Sequence, residues 1–114
     1  MNPGSLCFGK GSDCAAHPLE LLPEIKAVIG SRMPIFVDSG FRRGSDVMKA
    51  LALGADAVLV GWLLVMGLAA NGSQGVTEII NIVTGELRRI MTVTGCKNPS
   101  EIDDRILVKR DYSI

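Results

Sequence analysis

Apolar residues recur at three- and four-residue spacing in three stretches of the chain, the pattern of amphipathic helices. The first stretch, residues 18–30, has its apolar positions at Leu19, Leu22, Ile25, Val28 and Ile29. The second, residues 44–54, has them at Val47, Met48, Ala50, Leu51 and Leu53. The third, residues 74–94 after a capping Ser73, has them at Val76, Ile79, Ile80, Val83, Leu87, Ile90 and Met91. The spacing therefore predicts three helices.

Two short apolar runs lie between these helices, at residues 35–38 and 58–60. Neither alternates with polar residues, as is typical of parallel strands covered on both faces. The order helix, strand, helix, strand, helix predicts an α/β fold. The 114 residues suffice for one domain. We divide it into a loop or strand remnant (1–16), an α/β core (17–97) and a C-terminal tail (98–114). The tail opens with a short capped turn at Asn98-Pro99, and its charged part from Asp103 is expected on the surface or bound to a partner.

The loop Ser39–Gly44 connects the end of the first strand to the start of the second helix. Amides at a helix N-terminus lack helical partners and the helix dipole favours negative charge, so this position suits an anion. Arg42 would add a bidentate contact to a phosphate, and Gly61 would let a ligand approach the second strand. Asp38 either bonds a ligand or caps the loop. The alternative interpretation is a tight turn with both arginines in water.

The composition indicates which binding partners and which cellular compartment to expect. Twelve basic and twelve acidic residues cancel, so nucleic acid and anionic lipid are not indicated. The longest uncharged run, residues 57–70, is shorter than the roughly 20 residues of a membrane span. Three cysteines give an odd count, and no signal-peptide pattern is present, which predicts reduced thiols in the cytoplasm. The hydrophobic share of 47% predicts apolar surface buried against another subunit.

Three segments also carry a family resemblance. Residues 38–46 read DSGFRRGSD, residues 49–55 read KALALGA, and residues 60–62 read VGW. They resemble the C-terminal part of the FMN-dependent α-hydroxy-acid oxidases and dehydrogenases. The resemblance implies a (β/α)8 barrel with FMN as cofactor, in which residues 34–38 form strand seven and residues 57–61 form strand eight. It places at the flavin phosphate Asp38, Ser39, Gly40, Arg42 and Gly61.

The chain departs from the family pattern where the chemistry would occur. Trp62 stands in place of an arginine that holds the phosphate, and its bulk would occlude the site. In the segment that aligns with the catalytic loop, Cys7 replaces the histidine base and Lys10 replaces the arginine that binds the substrate carboxylate. Cysteine is a poor substitute base for this step, since its unperturbed pKa is about 8.5. We therefore predict no catalytic residue in this chain, and expect His17 to be a capping or surface residue. Together with Cys7 and Cys14, His17 makes no convincing zinc site.

A full barrel takes about 250 residues, so this chain would supply its last quarter to half. Free strand edges invite pairing with another chain, and we expect barrel-facing Ile35, Val37, Val58 and Val60 to lack an opposite wall. A homo-oligomer, in its commonest closed form a symmetric dimer, would cover both. The prediction is a flavin-phosphate-binding part of an FMN-dependent 2-hydroxy-acid oxidoreductase, not catalytic alone. The alternative is a non-catalytic oligomeric protein that binds another phosphate ligand or a partner.

Overall fold

The structure is a computed structural model that describes residues 17–108. Its elements follow the predicted order and are α1 (Pro18–Ile29), β1 (Phe36–Asp38), α2 (Gly44–Ala52), β2 (Ala57–Leu59) and α3 (Gly61–Thr94), followed by 3-10 turns at Pro99–Glu101 and Asp104–Ile106. The predicted order of helices and strands is confirmed. The strand remnant expected within residues 1–16 lies outside the described residues, as do residues 109–114.

The two strands form a parallel sheet connected through α2. Phe36 lies beside Ala57 and Asp38 lies beside Leu59. The start of the pair is fixed by the side chain of Asp56, whose Oδ2 accepts a hydrogen bond from the Ile35 amide at 2.8 Å. Because the strands run in the same direction, both carboxyl ends reach the same edge of the sheet. The loop after β1 and the start of α3 therefore lie side by side.

One apolar cluster fills the space between the sheet and the helices on one of its faces. Its buried members are Leu19, Leu22, Ile35, Val37, Phe41, Ala50 and Ala55, with Val58 and Val60 packed against them. The expectation that Ile35, Val37, Val58 and Val60 face a barrel interior was therefore wrong. The residues on the opposite face are Phe36 and Leu59, which are 65% and 46% exposed. Side chains alternate along a strand. Residues 35–38 begin with an apolar residue on each face, Ile35 on one and Phe36 on the other, so these two residues did not identify the buried face.

A second cluster lies between α2 and α3. Met48, Ala52, Met91 and Ile102 are buried in it. Ile106 and Leu107 pack against this cluster and are partly buried. The described part of the predicted tail thus covers the two helices, and the expectation of a surface segment was wrong for these two residues.

Helix α3 consists of two helical pieces joined at Asn71 and Gly72, whose backbone angles are not helical. Gly72 has φ of +58°, a conformation that glycine adopts without steric cost. The pieces approach closely at Gly67, where an added Cβ would lie 2.7 Å from the Gly75 carbonyl oxygen. The second piece matches the helix predicted over residues 74–94, and the first occupies the apolar stretch after β2. Within residues 17–108, no helix has the length and apolar character to cross a membrane.

Candidate functional site

The loop after β1 has an unusual backbone path. Ser39 and Gly40 have φ of +92° and +82°, and Ser39 is the one non-glycine residue with positive φ among residues 17–108. Such angles are sterically unfavourable for a residue with a side chain. Asp38 supports this path, since its Oδ1 accepts a hydrogen bond from the Ser39 amide at 2.7 Å. One oxygen of Asp38 therefore caps the loop, as one of the two sequence interpretations proposed.

The first turn of α2 is stabilised by a carboxylate of the chain itself. Oδ2 of Asp46 accepts hydrogen bonds from the amides of Arg42 and Arg43, at 3.2 and 3.1 Å. A carboxylate at this position satisfies amides that have no helical partner and interacts favourably with the positive end of the helix dipole. Asp46 thus stabilises the first turn of α2 from within the same helix.

A second carboxylate reaches the same helix end from α3. Glu86 accepts a hydrogen bond from the Gly44 amide at 2.8 Å and from Nε of Arg43 at 2.8 and 3.0 Å. Its Oε1 also lies 2.7 Å from Nη2 of Arg43. These bonds to Arg43, and then the Gly44 amide, lower the pKa of Glu86, while Glu86 raises the pKa of Arg43. Arg43 is therefore bonded to Glu86, although 70% of its side chain stays exposed to water.

Glu86 was missed by the sequence reasoning, although a signal was present. It lies three residues after Val83 and four before Ile90, within the stripe predicted to be buried. A carboxylate at such a position needs a partner. The chain supplies that partner from a helix end about forty residues earlier, and sequence spacing alone did not connect the two.

Two groups beside this loop stay open to a ligand. Arg42 is exposed, and its guanidinium makes no hydrogen bond or ion pair within residues 17–108. Gly61 is the first residue of α3 and is also exposed, with no atom within 4 Å of where a Cβ would be. Because the strand ends adjoin, these groups belong to the same edge of the sheet. The structure thus brings the five predicted phosphate residues to one edge.

Trp62 begins α3 directly after Gly61, at the same edge. Its side chain is 72% exposed, so it does not fill the core of the fold. The residue before this helix, Val60, provides no side-chain cap. The segment that follows β2, residues 60–62, therefore has neither a positively charged side chain nor a carboxylate. The loop after β1 differs, because it has arginines and is bonded to carboxylates.

His17 is a capping residue. Its Nδ1 accepts a hydrogen bond from the Leu19 amide at 2.9 Å, at the start of α1. The side chain is buried, and desolvation lowers the pKa of His17. The predicted capping role is confirmed and the surface location was wrong. Cys7 and Lys10, which replace the family's catalytic residues, lie outside the described residues. Within residues 17–108, no group of histidine, cysteine and acidic side chains could hold a metal ion.

The sequence pattern of the FMN-dependent dehydrogenases matches residues 8–109. The chain belongs to this family. It is 46% identical over 105 residues to the L-lactate oxidase of Lactobacillus jensenii and 47% identical over 88 residues to the (S)-mandelate dehydrogenase of Pseudomonas putida. Those alignments cover 92% and 77% of this chain, and 26% and 22% of the relatives. The chain therefore spans about a quarter of the length of the relatives it matches.

Solved structures of the same family superimpose on this chain. A crystal structure of monotopic membrane protein (S)-mandelate dehydrogenase superimposes with a TM-score of 0.82 and 41% identity, over 87% of this chain and 26% of that one. The family resemblance found in the sequence is confirmed, and the chain is an α/β segment that aligns to about a quarter of these TIM-barrel enzymes. FMN binding by Asp38, Ser39, Gly40, Arg42 and Gly61 stays a prediction.

Proposed function

We propose that this chain forms the FMN-phosphate end of a 2-hydroxy-acid oxidoreductase. The observation that carries the proposal is the loop after β1, whose shape is held by three carboxylates of the chain itself while Arg42 and Gly61 stay open beside it. A loop built in advance binds with little ordering cost. Family membership supplies the cofactor, since the relatives are FMN-dependent dehydrogenases.

The residues of the loop after β1 would contribute unequally to binding a phosphate. Gly44 and Arg43 are already bonded to Glu86, so they would not supply the main contacts. Arg42 would provide the positive charge, and the backbone at Ser39, Gly40 and Gly61 would approach the phosphate oxygens. When bound, FMN supplies the hydride acceptor for oxidation of a 2-hydroxy acid. The residues of this chain would bind and orient the cofactor.

We further propose that the chain does not catalyse the oxidation alone. Removal of the substrate proton needs a base, and recognition of its carboxylate needs a cation with suitable geometry. By the family resemblance, Cys7 and Lys10 occupy those positions. His17 does not substitute for the base, because its Nδ1 is bonded to the α1 backbone and the ring is buried.

Titration of the full chain with FMN, followed by flavin fluorescence and Trp62 emission, tests the phosphate site. Replacing Arg42 by alanine should weaken FMN binding about tenfold, because a hydrogen bond to a charged group contributes about 1.5 kcal/mol or more. Arg32→Ala is the matched control. Arg32 is an exposed arginine that precedes β1 and therefore lies toward the opposite edge of the sheet.

Riboflavin, which lacks the phosphate, provides the second comparison. The proposal expects FMN to bind more tightly than riboflavin, and expects that preference to shrink in Arg42→Ala. No spectral change at millimolar FMN, or equal binding of FMN and riboflavin, would contradict the phosphate site.

The alternative function is a non-catalytic binding or interaction protein that assembles as a dimer. Exposed apolar residues favour it, both on α1 and α3 and on the sheet face that carries Phe36 and Leu59. Sedimentation and the visible spectrum of the pure protein separate the two functions. A yellow protein supports the flavin site, and a colourless, stable dimer that does not take up FMN supports the alternative.

A further inference from the structure

The N-terminus of α2 is already bonded to carboxylates of the chain. The amides of Arg42 and Arg43 donate to Oδ2 of Asp46. The Gly44 amide donates to Oε2 of Glu86. A backbone amide has a single proton to donate, so each of these amides is engaged, and the two carboxylates repel a further anion. A phosphate at this edge therefore depends on a cationic side chain more than on the amides of the helix end.

Two neighbouring arginines have the chemistry to supply that cation, and the structure treats them differently. Arg43 donates from Nε to both carboxylate oxygens of Glu86, at 2.8 and 3.0 Å, and its Nη2 lies 2.7 Å from Oε1. Such forked contacts are among the stronger hydrogen bonds in proteins and fix the guanidinium in one orientation. Arg42 is exposed and is not bonded to Glu86. Glu86 thus distinguishes between two side chains of the same type.

Glu86 is the more firmly placed member of its pair. Its side chain is 18% exposed, against 70% for Arg43. The backbone beside it is in close contact with the start of α2, because a Cβ added to Gly44 would lie 2.6 Å from the Cβ of Glu86. Glu86 therefore holds the end of the loop directly against α3.

The residue on the other side of Arg42 is fixed as well. Phe41 is 5% exposed and belongs to the first apolar cluster. Arg42 therefore lies between a buried side chain and the backbone of residues 43–44, which Glu86 holds. A side chain that starts from a fixed backbone loses less conformational freedom when it binds a ligand. Removing the carboxylate of Glu86 would release one of the two anchors of Arg42.

We propose that Glu86 is a positioning residue for the phosphate site. By holding Arg43 and the Gly44 amide against α3, it leaves Arg42 as the guanidinium that meets the phosphate. Glu86 makes no contact with the phosphate and acts through Arg42. This inference rests on the proposed FMN-phosphate site.

Charge and positioning predict opposite effects of Glu86. By charge alone, a carboxylate near the site weakens the binding of a phosphate. Its removal would then tighten binding, and would also release Arg43 as a second cation. If Glu86 positions the loop, its removal weakens binding although a negative charge has been lost. The sign of the change therefore decides between the two roles.

Flavin fluorescence titrations of the full 114-residue chain test the proposal, with FMN and riboflavin as ligands. In Glu86→Gln the side chain keeps its size and an oxygen for the Gly44 amide, but loses the charge that holds Arg43. We expect FMN to bind about fivefold more weakly and riboflavin to be nearly unaffected. A change in stability alone would not alter the preference for FMN over riboflavin. Circular dichroism of each variant shows that it is folded at the temperature of the titration.

Glu78→Gln is the matched control. It removes the same charge from an exposed position about two turns earlier in α3, and should leave the binding of both flavins unchanged. An equal effect of Glu78→Gln would overturn the proposal, because it would show that the overall charge of α3 and not the contact with Arg43 determines binding.

A double variant tests whether Glu86 acts through Arg42. In the Arg42→Ala background, Glu86→Gln should have little further effect on FMN binding, since residues that act together are not additive. The inference is overturned if Glu86→Gln binds FMN as tightly as the wild type or more tightly, or if it causes the same loss in both backgrounds. In those cases a tenfold loss in Arg42→Ala alone leaves the phosphate site standing. Equal binding of FMN and riboflavin by the wild-type chain would instead overturn the phosphate site, and this inference with it.

Discussion

The loops that follow the two strands lie side by side, yet they are built differently. After β1, Asp38, Asp46 and Glu86 bond the backbone from Ser39 to Gly44 and fix its path. After β2, the chain passes through Val60 directly into α3, with no side-chain cap and with an exposed Trp62. The backbone of the first loop is bonded to carboxylates of the chain itself. The second offers an open backbone and no charge.

The two loops therefore differ in how much they contribute to the stability of the fold. The carboxylates after β1 stabilise the fold as well as the loop, since Glu86 joins α3 to the N-terminus of α2. Losing them would cost stability whether or not a ligand binds. The position of Trp62 has no such structural role among the described residues, because its side chain is largely in water. By the family resemblance an arginine holds the phosphate at this position, so its replacement by Trp62 would affect a ligand and leave the packing intact.

An added methyl group on the glycine of each loop should affect the stability of the two loops most differently. In Gly44→Ala the Cβ would lie 2.6 Å from the Cβ of Glu86 and 2.7 Å from its carbonyl carbon. Because the backbone of α3 is one of the obstacles, we expect a loss of about 2–3 kcal/mol in the free energy of unfolding. Urea denaturation measures it.

Gly61→Ala is the matched control for this change. No atom lies within 4 Å of the new methyl group, so we expect a change within about 0.5 kcal/mol in the same measurement. Equal losses in the two variants would show that the two loops are packed alike, contrary to the structure.

A positive charge placed after β2 should make the loop there resemble the loop after β1, which already has an exposed arginine. Trp62→Arg adds a guanidinium next to the exposed backbone of Gly61, and we expect FMN to bind about tenfold more tightly. Trp62→Ala separates two causes, because it removes the indole without adding a charge. If both variants gain equally, the indole blocks the edge. If neither gains, the phosphate does not bind between the two loops. Both are measured by flavin fluorescence.

The pH dependence of stability should reveal the carboxylate at the first loop, with the smallest effect of the three because Arg43 is largely in water. Bonding to Arg43 and Gly44 lowers the folded-state pKa of Glu86 from its ordinary 4.5. The stabilisation is therefore present above pH 4.5 and is lost as the pH falls below it. Glu86→Gln should be less stable at neutral pH and show a shallower fall in acid.

Glu78→Gln is the control for this measurement. Glu78 is exposed on the same helix, and its side chain makes no hydrogen bond or ion pair within the described part of the chain. We expect the pH profile of that variant to match the wild type. An unchanged profile in Glu86→Gln as well would show that the bonds to Arg43 and Gly44 contribute nothing to stability.

Local patterns predicted much of this molecule. Helical spacing located α1, α2 and the second piece of α3, and the two apolar runs located the strands within a residue or two. The family resemblance identified the edge where both strands end. The incorrect predictions arose where two packing arrangements are compatible with the same local sequence pattern. Ile35 and Phe36 are both apolar, so alternation could not say which of them faces the helices, and nothing near Ile106 showed that it packs on α2 and α3.

The α/β order, the family and the residues that reach the carboxyl edge could be predicted from the sequence, because they depend on spacing and on motifs within short stretches. Tertiary structure decided which groups at that edge are free. Arg42 and Arg43 are neighbours with the same chemistry, but only Arg43 is near Glu86, and that proximity follows from how α3 packs against α2. The same packing leaves apolar side chains of α1 and α3 exposed in the described part of the chain, among them Val28 and Val93.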